Sequence, residues 1–154
     1  MDGVCYSHQG WTTKNNEFLL INDEVVDTGL DSYSCSQIAG NDNAGLAVVD
    51  ITDLDDPQFS KRFELDLFGN AHNFMVVKKH LYWAAYSGGT RVLELKRTNK
   101  GGVLDLQLTE VAYMDTEPRD YPWYLGQWGT FAFEKSGTII ASDVVNGLIV
   151  MKVD

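Results

Sequence analysis

His72 to Leu95 reads HNFMVVKKHLYWAAYSGGTRVLEL and holds three short apolar runs separated by two tight-turn signals. Phe74 to Val77 is the first run, Lys78 and Lys79 make a polar break, and Leu81 to Tyr86 is the second. Ser87, Gly88 and Gly89 then supply the backbone freedom that a hairpin needs, and Arg91 to Leu95 follows as a third run. Runs this short, and this rich in β-branched and aromatic residues, predict buried sheet strands rather than helix.

The same grammar extends in both directions. Upstream, Ser7 to Thr12 carries His8, Gln9, Gly10 and Trp11, followed by an apolar run at Phe18 to Ile21 that ends in Asn22, Asp23 and Glu24. Val25 to Asn43 is polar and full of turn formers, which predicts an inserted loop. Strand character resumes over Ala44 to Asp53, Leu54 to Pro57 makes a turn, and Phe59 to Leu67 alternates apolar and charged residues as an outer strand does. Downstream, Lys96 to Gly102 reads as a polar connection and Leu108 to Asp115 as an outer strand. Thr116 to Pro122 is a proline-containing crossover. Gly126 to Glu134, Thr138 to Ser142 and Leu148 to Val153 are further strands, with turns at Lys135 to Gly137 and Val145 to Gly147. No window has the amphipathic period of a helix.

His72 follows His8 by 64 positions and Gln127 follows His72 by 55, the first interval being lengthened by the Val25 to Asn43 insertion. Without insertions the unit approaches the ~40–50 residues of a four-stranded propeller blade. The expected fold is therefore all-β, a partial β-propeller of about three antiparallel blades at residues 7–67, 72–115 and 126–154, the last lacking its outer strand. The whole chain, 1–154, is expected to form one propeller-type domain. Three blades do not close into a ring, so the terminal blades would expose apolar faces. Either the chain is a portion of a longer propeller or it associates with another chain to complete one.

Composition narrows the partners. At 44% hydrophobic and 12% aromatic the chain is of globular type. Its formal charge of -10 repels phosphate backbones and anionic lipid, which argues against nucleic acid and membrane-surface binding. No stretch has the ~20 apolar residues of a membrane span. Met1 to Trp11 lacks a charged start followed by an apolar run, so no secretion signal is expected in it. The two cysteines, Cys5 and Cys35, are either a disulfide or two unpaired thiols. A bridge would close a loop of about 30 residues, worth about 3–4 kcal/mol on the chain-entropy model.

HQGW at His8 to Trp11, Asp23-Glu24, the His72-Asn73-Phe74 start, Arg91 to Leu95, Tyr113 to Thr116 and the Ser136-Gly137 to Leu148 stretch together resemble the C-terminal half of the LVIVD-repeat, choice-of-anchor B family. The resemblance spans the chain apart from Val25 to Asn43 and Lys96 to Gln107. It implies a secreted or surface-anchored β-propeller, and members longer than this chain. The chain departs from the family pattern in the residues flanking Trp128 and Phe133, where Gln127, Gly129, Ala132 and Glu134 stand.

His8, Asp23, Glu24 and His72 are the strongest chemical set, because the two histidines stand at the same place in successive units, just before the first strand. Imidazoles and carboxylates meeting at one end of a channel suit a divalent cation or acid–base work. The alternative is that each histidine bonds backbone carbonyls between blades while Asp23 and Glu24 cap a turn. Asp50, Asp53, Asp55 and Asp56 are dense enough to suggest calcium but lack the spacing of a calcium loop, and read as turn carboxylates. Among the aromatics Trp83 falls mid-strand in the core, whereas Tyr121, Trp123 and Tyr124 lie in a loop and are candidate partner contacts. There is no nucleophile elbow, dinucleotide fingerprint or phosphate loop. The expected function is a non-catalytic binding or scaffold module that docks another protein, or a second copy, through open blade faces. The alternative is a metal-dependent hydrolase- or lyase-like enzyme built on His8, Asp23, Glu24 and His72.

Overall fold

The computed structural model describes residues 7–24, 43–68, 72–119 and 124–153. These residues form strands and connections with no helix, and none of their segments is a helix long and apolar enough to cross a membrane. The strands are β1 (Ser7–Thr12), β2 (Phe18–Asp23), β3 (Asn43–Asp50), β4 (Gln58–Phe68), β5 (Phe74–Val77), β6 (His80–Ala84), β7 (Thr90–Lys100), β8 (Val103–Met114), β9 (Gln127–Ala132), β10 (Thr138–Asp143) and β11 (Gly147–Lys152). They make three antiparallel meanders, β1-β2-β3-β4, β5-β6-β7-β8 and β9-β10-β11, each strand pairing with its neighbour in sequence.

The second meander is covered on both faces, which is why its sequence reads as nearly continuous apolar runs. Phe74 pairs with Trp83, and Leu81 with Val76 and Leu93. That face packs on Phe18, Leu20, Leu46, Val48 and Leu65 of the first meander. Met75, Tyr82 and Val92 form the opposite row. They pack on Ala132, Ile139 and Met151 of the third meander. A single alternating strand thus contributes to two cores.

One connection differs from expectation. Lys96 to Gly102 is not a loop: β7 continues to Lys100 and returns as β8 from Val103, with Lys100 paired to Val103. Gly101 and Gly102 sit at φ 63° and 89°, the pair of positive values that a two-residue hairpin turn of this twist requires. The cause is in the return strand, where Leu104, Leu106 and Leu108 alternate onto the core shared with the first meander. The polar run Lys96 to Lys100 becomes a strand because its pairing partner is anchored, not through an apolar face of its own.

The third meander has one covered face and one open face. Phe131, Ile140 and Val150 stand in one cross-strand row on the face opposite Ala132, Ile139 and Met151, with Phe131 at its end also bordering β5. Val150 is 63% exposed and its neighbour Leu148 71%, and among the described residues no strand pairs with the outer edge of β11.

The aspartates between β3 and β4 are turn formers. Asp50 Oδ1 accepts from Thr52 N and Oγ1 at 2.9 and 2.7 Å, and Asp53 Oδ1 accepts from Asp55 N at 3.0 Å. Gln58 Nε2 donates to Asp56 Oδ1 at 2.7 Å.

Candidate functional site

The opening strands of the three meanders lie together: β1 contacts β5, and β9 contacts β5 and β6. Polar side chains tie them at one end. Gln9 Oε1 accepts from Phe74 N at 2.9 Å, and Asn22, fully buried, accepts from Gln9 N at 2.6 Å and donates to His72 O at 2.5 Å. Tyr86 and Gln127 exchange backbone hydrogen bonds of 3.1 and 3.0 Å, joining the second meander to the third. A buried amide that both accepts and donates across the junction, as Asn22 does, favours one register, so these bonds help set where His8, His72 and Trp128 stand.

At this junction His8, Glu24 and His72 converge. One ligating atom from each lies within 4.8 Å of the others. Glu24 bridges the Nε2 edges of the imidazoles, with Oε2 3.8 Å from His8 Nε2 and Oε1 3.5 Å from His72 Nε2. The two rings stack at 4.4 Å with 29° between their planes. His72 is buried, and its Nδ1 is hydrogen-bonded to the carbonyl of Trp128. A carbonyl only accepts, so Nδ1 carries the hydrogen. Burial holds the His72 imidazole below its ordinary pKa and nearby His8 adds to this, against the opposing pull of the Trp128 carbonyl and Glu24. Nε2 is the ring nitrogen turned toward the carboxylate of Glu24.

Tyr86 completes the support. Its hydroxyl donates to Glu24 Oε1 at 3.1 Å. Burial, then the hydrogen bond and charge of Glu24, push the phenol well above its ordinary pKa, so it remains a donor. Tyr86 has φ 44°, an uncommon backbone state for a bulky residue, held by the Gln127 bridge. Its ring meets His72 at 5.0 Å, Tyr124 at 5.2 Å and Trp128 at 6.0 Å, all edge-to-face, and Trp128 meets His72 at 5.2 Å. Trp128 and Tyr124 are about half exposed, so the set opens to solvent on an aromatic side. Further along the same three strands, a groove of about 490 Å³ is lined by Trp11, Met75, Val77, Phe131 and Phe133 among others.

Of the four residues expected at one site, the structure brings three together. Asp23 is buried on the other side of β2 from Glu24's partners and pairs with Arg62, Nη1 to Oδ2 3.2 Å. Successive strand residues face opposite ways, which separates neighbours 23 and 24. Tyr124 joins the site as a ring against Tyr86; Tyr121 and Trp123, like Cys5, Cys35 and the 25–42 segment, lie outside the described residues. Tyr86 was legible only as the end of an apolar run, because neither its positive φ nor its reach to Glu24 leaves a mark in sequence. Trp128 was visible as an aromatic of a strand run, but what it offers His72 here is its backbone carbonyl. No family model and no curated protein matches the chain.

Proposed function

We propose that this chain is a non-catalytic binding module of propeller type, its three meanders acting as blades, and that it docks a protein strand and sheet against its third meander. The observation that carries this is the open side of that meander. Phe131, Ile140 and Val150 form an apolar row, and Leu148 and Val150 are exposed on the unpaired edge strand. An edge strand offers a row of unpaired N–H and C=O groups, so an added strand gains main-chain hydrogen bonds while the apolar row receives its side chains. The shared groove along β1, β5 and β9 supports the propeller arrangement, in which first strands line a common axis.

The occupant is a β-sheet of another polypeptide, and a second copy of this chain has the required edge itself. Light scattering of the purified chain over a concentration series tests this. Concentration-dependent association that the double variant Leu148→Lys, Val150→Lys abolishes is expected. A monomer of 17.2 kDa at every concentration, or association indifferent to that variant, sinks it.

A further inference from the structure

We propose that His8, Glu24 and His72 form a binding site for one divalent transition-metal ion of the zinc class. The chain has three histidines in all, and two of them stack against one another with a carboxylate bridging their Nε2 edges. Their placement suits a single bound ion, with one ligating atom from each residue within 4.8 Å of the others. With Nδ1 of His72 committed to the Trp128 carbonyl, Nε2 is the ring nitrogen left to face Glu24 Oε1, 3.5 Å away. A ring nitrogen held by a backbone carbonyl is also the usual outer support of a metal-bound histidine, and Tyr86 gives the Glu24 carboxylate the corresponding support.

The donor set chooses the ion. Two imidazole nitrogens and one carboxylate oxygen suit zinc and its neighbours, whereas calcium and magnesium take mostly oxygen ligands. Ligands at ~2.0–2.2 Å from a tetrahedral ion lie about 3.3–3.5 Å apart. The separation of His72 Nε2 from Glu24 Oε1, 3.5 Å, already meets this, whereas His8 Nε2 stands 3.8 Å from the other carboxylate oxygen, Oε2, and must move to share the ion with Oε1. His8 must tilt out of the 29° stack to aim its lone pair inward, and it is the more exposed of the two imidazoles, so it is the ligand free to move. Three protein ligands leave a fourth position for water or a ligand group. Neither β11 nor its occupant contributes to this set.

Stripping the full-length chain with a chelator, then titrating Zn²⁺ against a chromophoric competitor, tests the site. One equivalent is expected to bind, at least ~100-fold tighter than Ca²⁺ or Mg²⁺. Glu24→Gln, whose amide oxygen still accepts from Tyr86, and His8→Ala are each expected to weaken binding by ~100-fold or more with unchanged far-ultraviolet circular dichroism. Tyr86→Phe, a positioning change, is expected to cost ~10-fold, and substituted Co²⁺ to show the visible bands of a four-coordinate site that this variant shifts. His80→Ala and the Cys5→Ser, Cys35→Ser variant are expected to bind as the parent does. Absence of stoichiometric Zn²⁺ binding overturns the site, as does binding that survives the His8→Ala, Glu24→Gln pair or that disappears with the cysteines.

Discussion

The second and third meanders are written in the same strand-and-turn grammar, yet one is a core element and the other a surface. β5 to β8 lie between two neighbours, so alternate residues of each strand reach separate cores. Among the described residues β9 to β11 have one neighbouring sheet, and their second row of apolar residues is largely exposed. Trp83 in β6 is fully buried, whereas Trp128 in β9 is half exposed. Apolar content alone therefore does not say which strands are inside; position in the stack does.

The largest difference between the two regions is expected from aromatic truncation. Trp83→Ala removes a fully buried indole from the shared core and should cost about 3–5 kcal/mol, enough to unfold most of a domain of ordinary stability. Phe131→Ala on the open face should cost about 1 kcal/mol or less. Trp83→Phe adds a sharper arm. Among the described residues the buried Trp83 Nε1 has no hydrogen-bond partner, so phenylalanine keeps an aromatic ring while removing that donor, and should cost much less than alanine. Urea unfolding of the three variants checks this; equal losses for Trp83→Ala and Phe131→Ala would erase the distinction between the meanders.

Most of the strand pattern was legible because short apolar runs between turn residues have few other ways to fold. β5 falls on Phe74 to Val77 as its apolar run predicts. The polar half of β7 was hidden, since Lys96 to Lys100 is defined by its partner strand and not by its own side chains. The Gly101-Gly102 pair and the spacing of Leu104, Leu106 and Leu108 were the available signals. At the site, the repeated position of His8 and His72 was enough to bring them together, and Glu24 followed from its place after β2. The removal of Asp23 is a matter of strand parity, readable had β2 been extended to Asp23. The contribution of Tyr86 is three-dimensional throughout.

A smaller effect probes the seam between the two meanders. Gly126 precedes β9 with φ 89°, and a Cβ there would stand 2.4 Å from the carbonyl oxygen of Tyr86 and 2.7 Å from its carbonyl carbon. Those are backbone atoms of the bridge that joins the meanders, so nothing flexible can give way. Gly126→Ala is expected to cost about 2–3 kcal/mol, from the left-handed backbone and the overlap together. Because Tyr86 also holds Glu24, the same variant should loosen Zn²⁺ binding. Thermal unfolding and the metal titration measured on one preparation check both. A loss of stability with unchanged metal affinity would mean that the seam and the site are independent.

The smallest effect on stability is expected where the largest effect on association is. Val150→Lys alters a side chain that is 63% exposed and whose row has no cover, so the urea midpoint should stay within about 0.5 kcal/mol of the parent. An equivalent charge on the covered face, Ile139→Lys, would place an ammonium among Met75, Val92 and Ala132 and prevent folding. If Val150→Lys is as neutral as expected while weakening association, the apolar row is retained for contact and not for folding. If instead it destabilises the monomer by several kcal/mol, that row is already covered within the chain, and the third meander is a core element like the second.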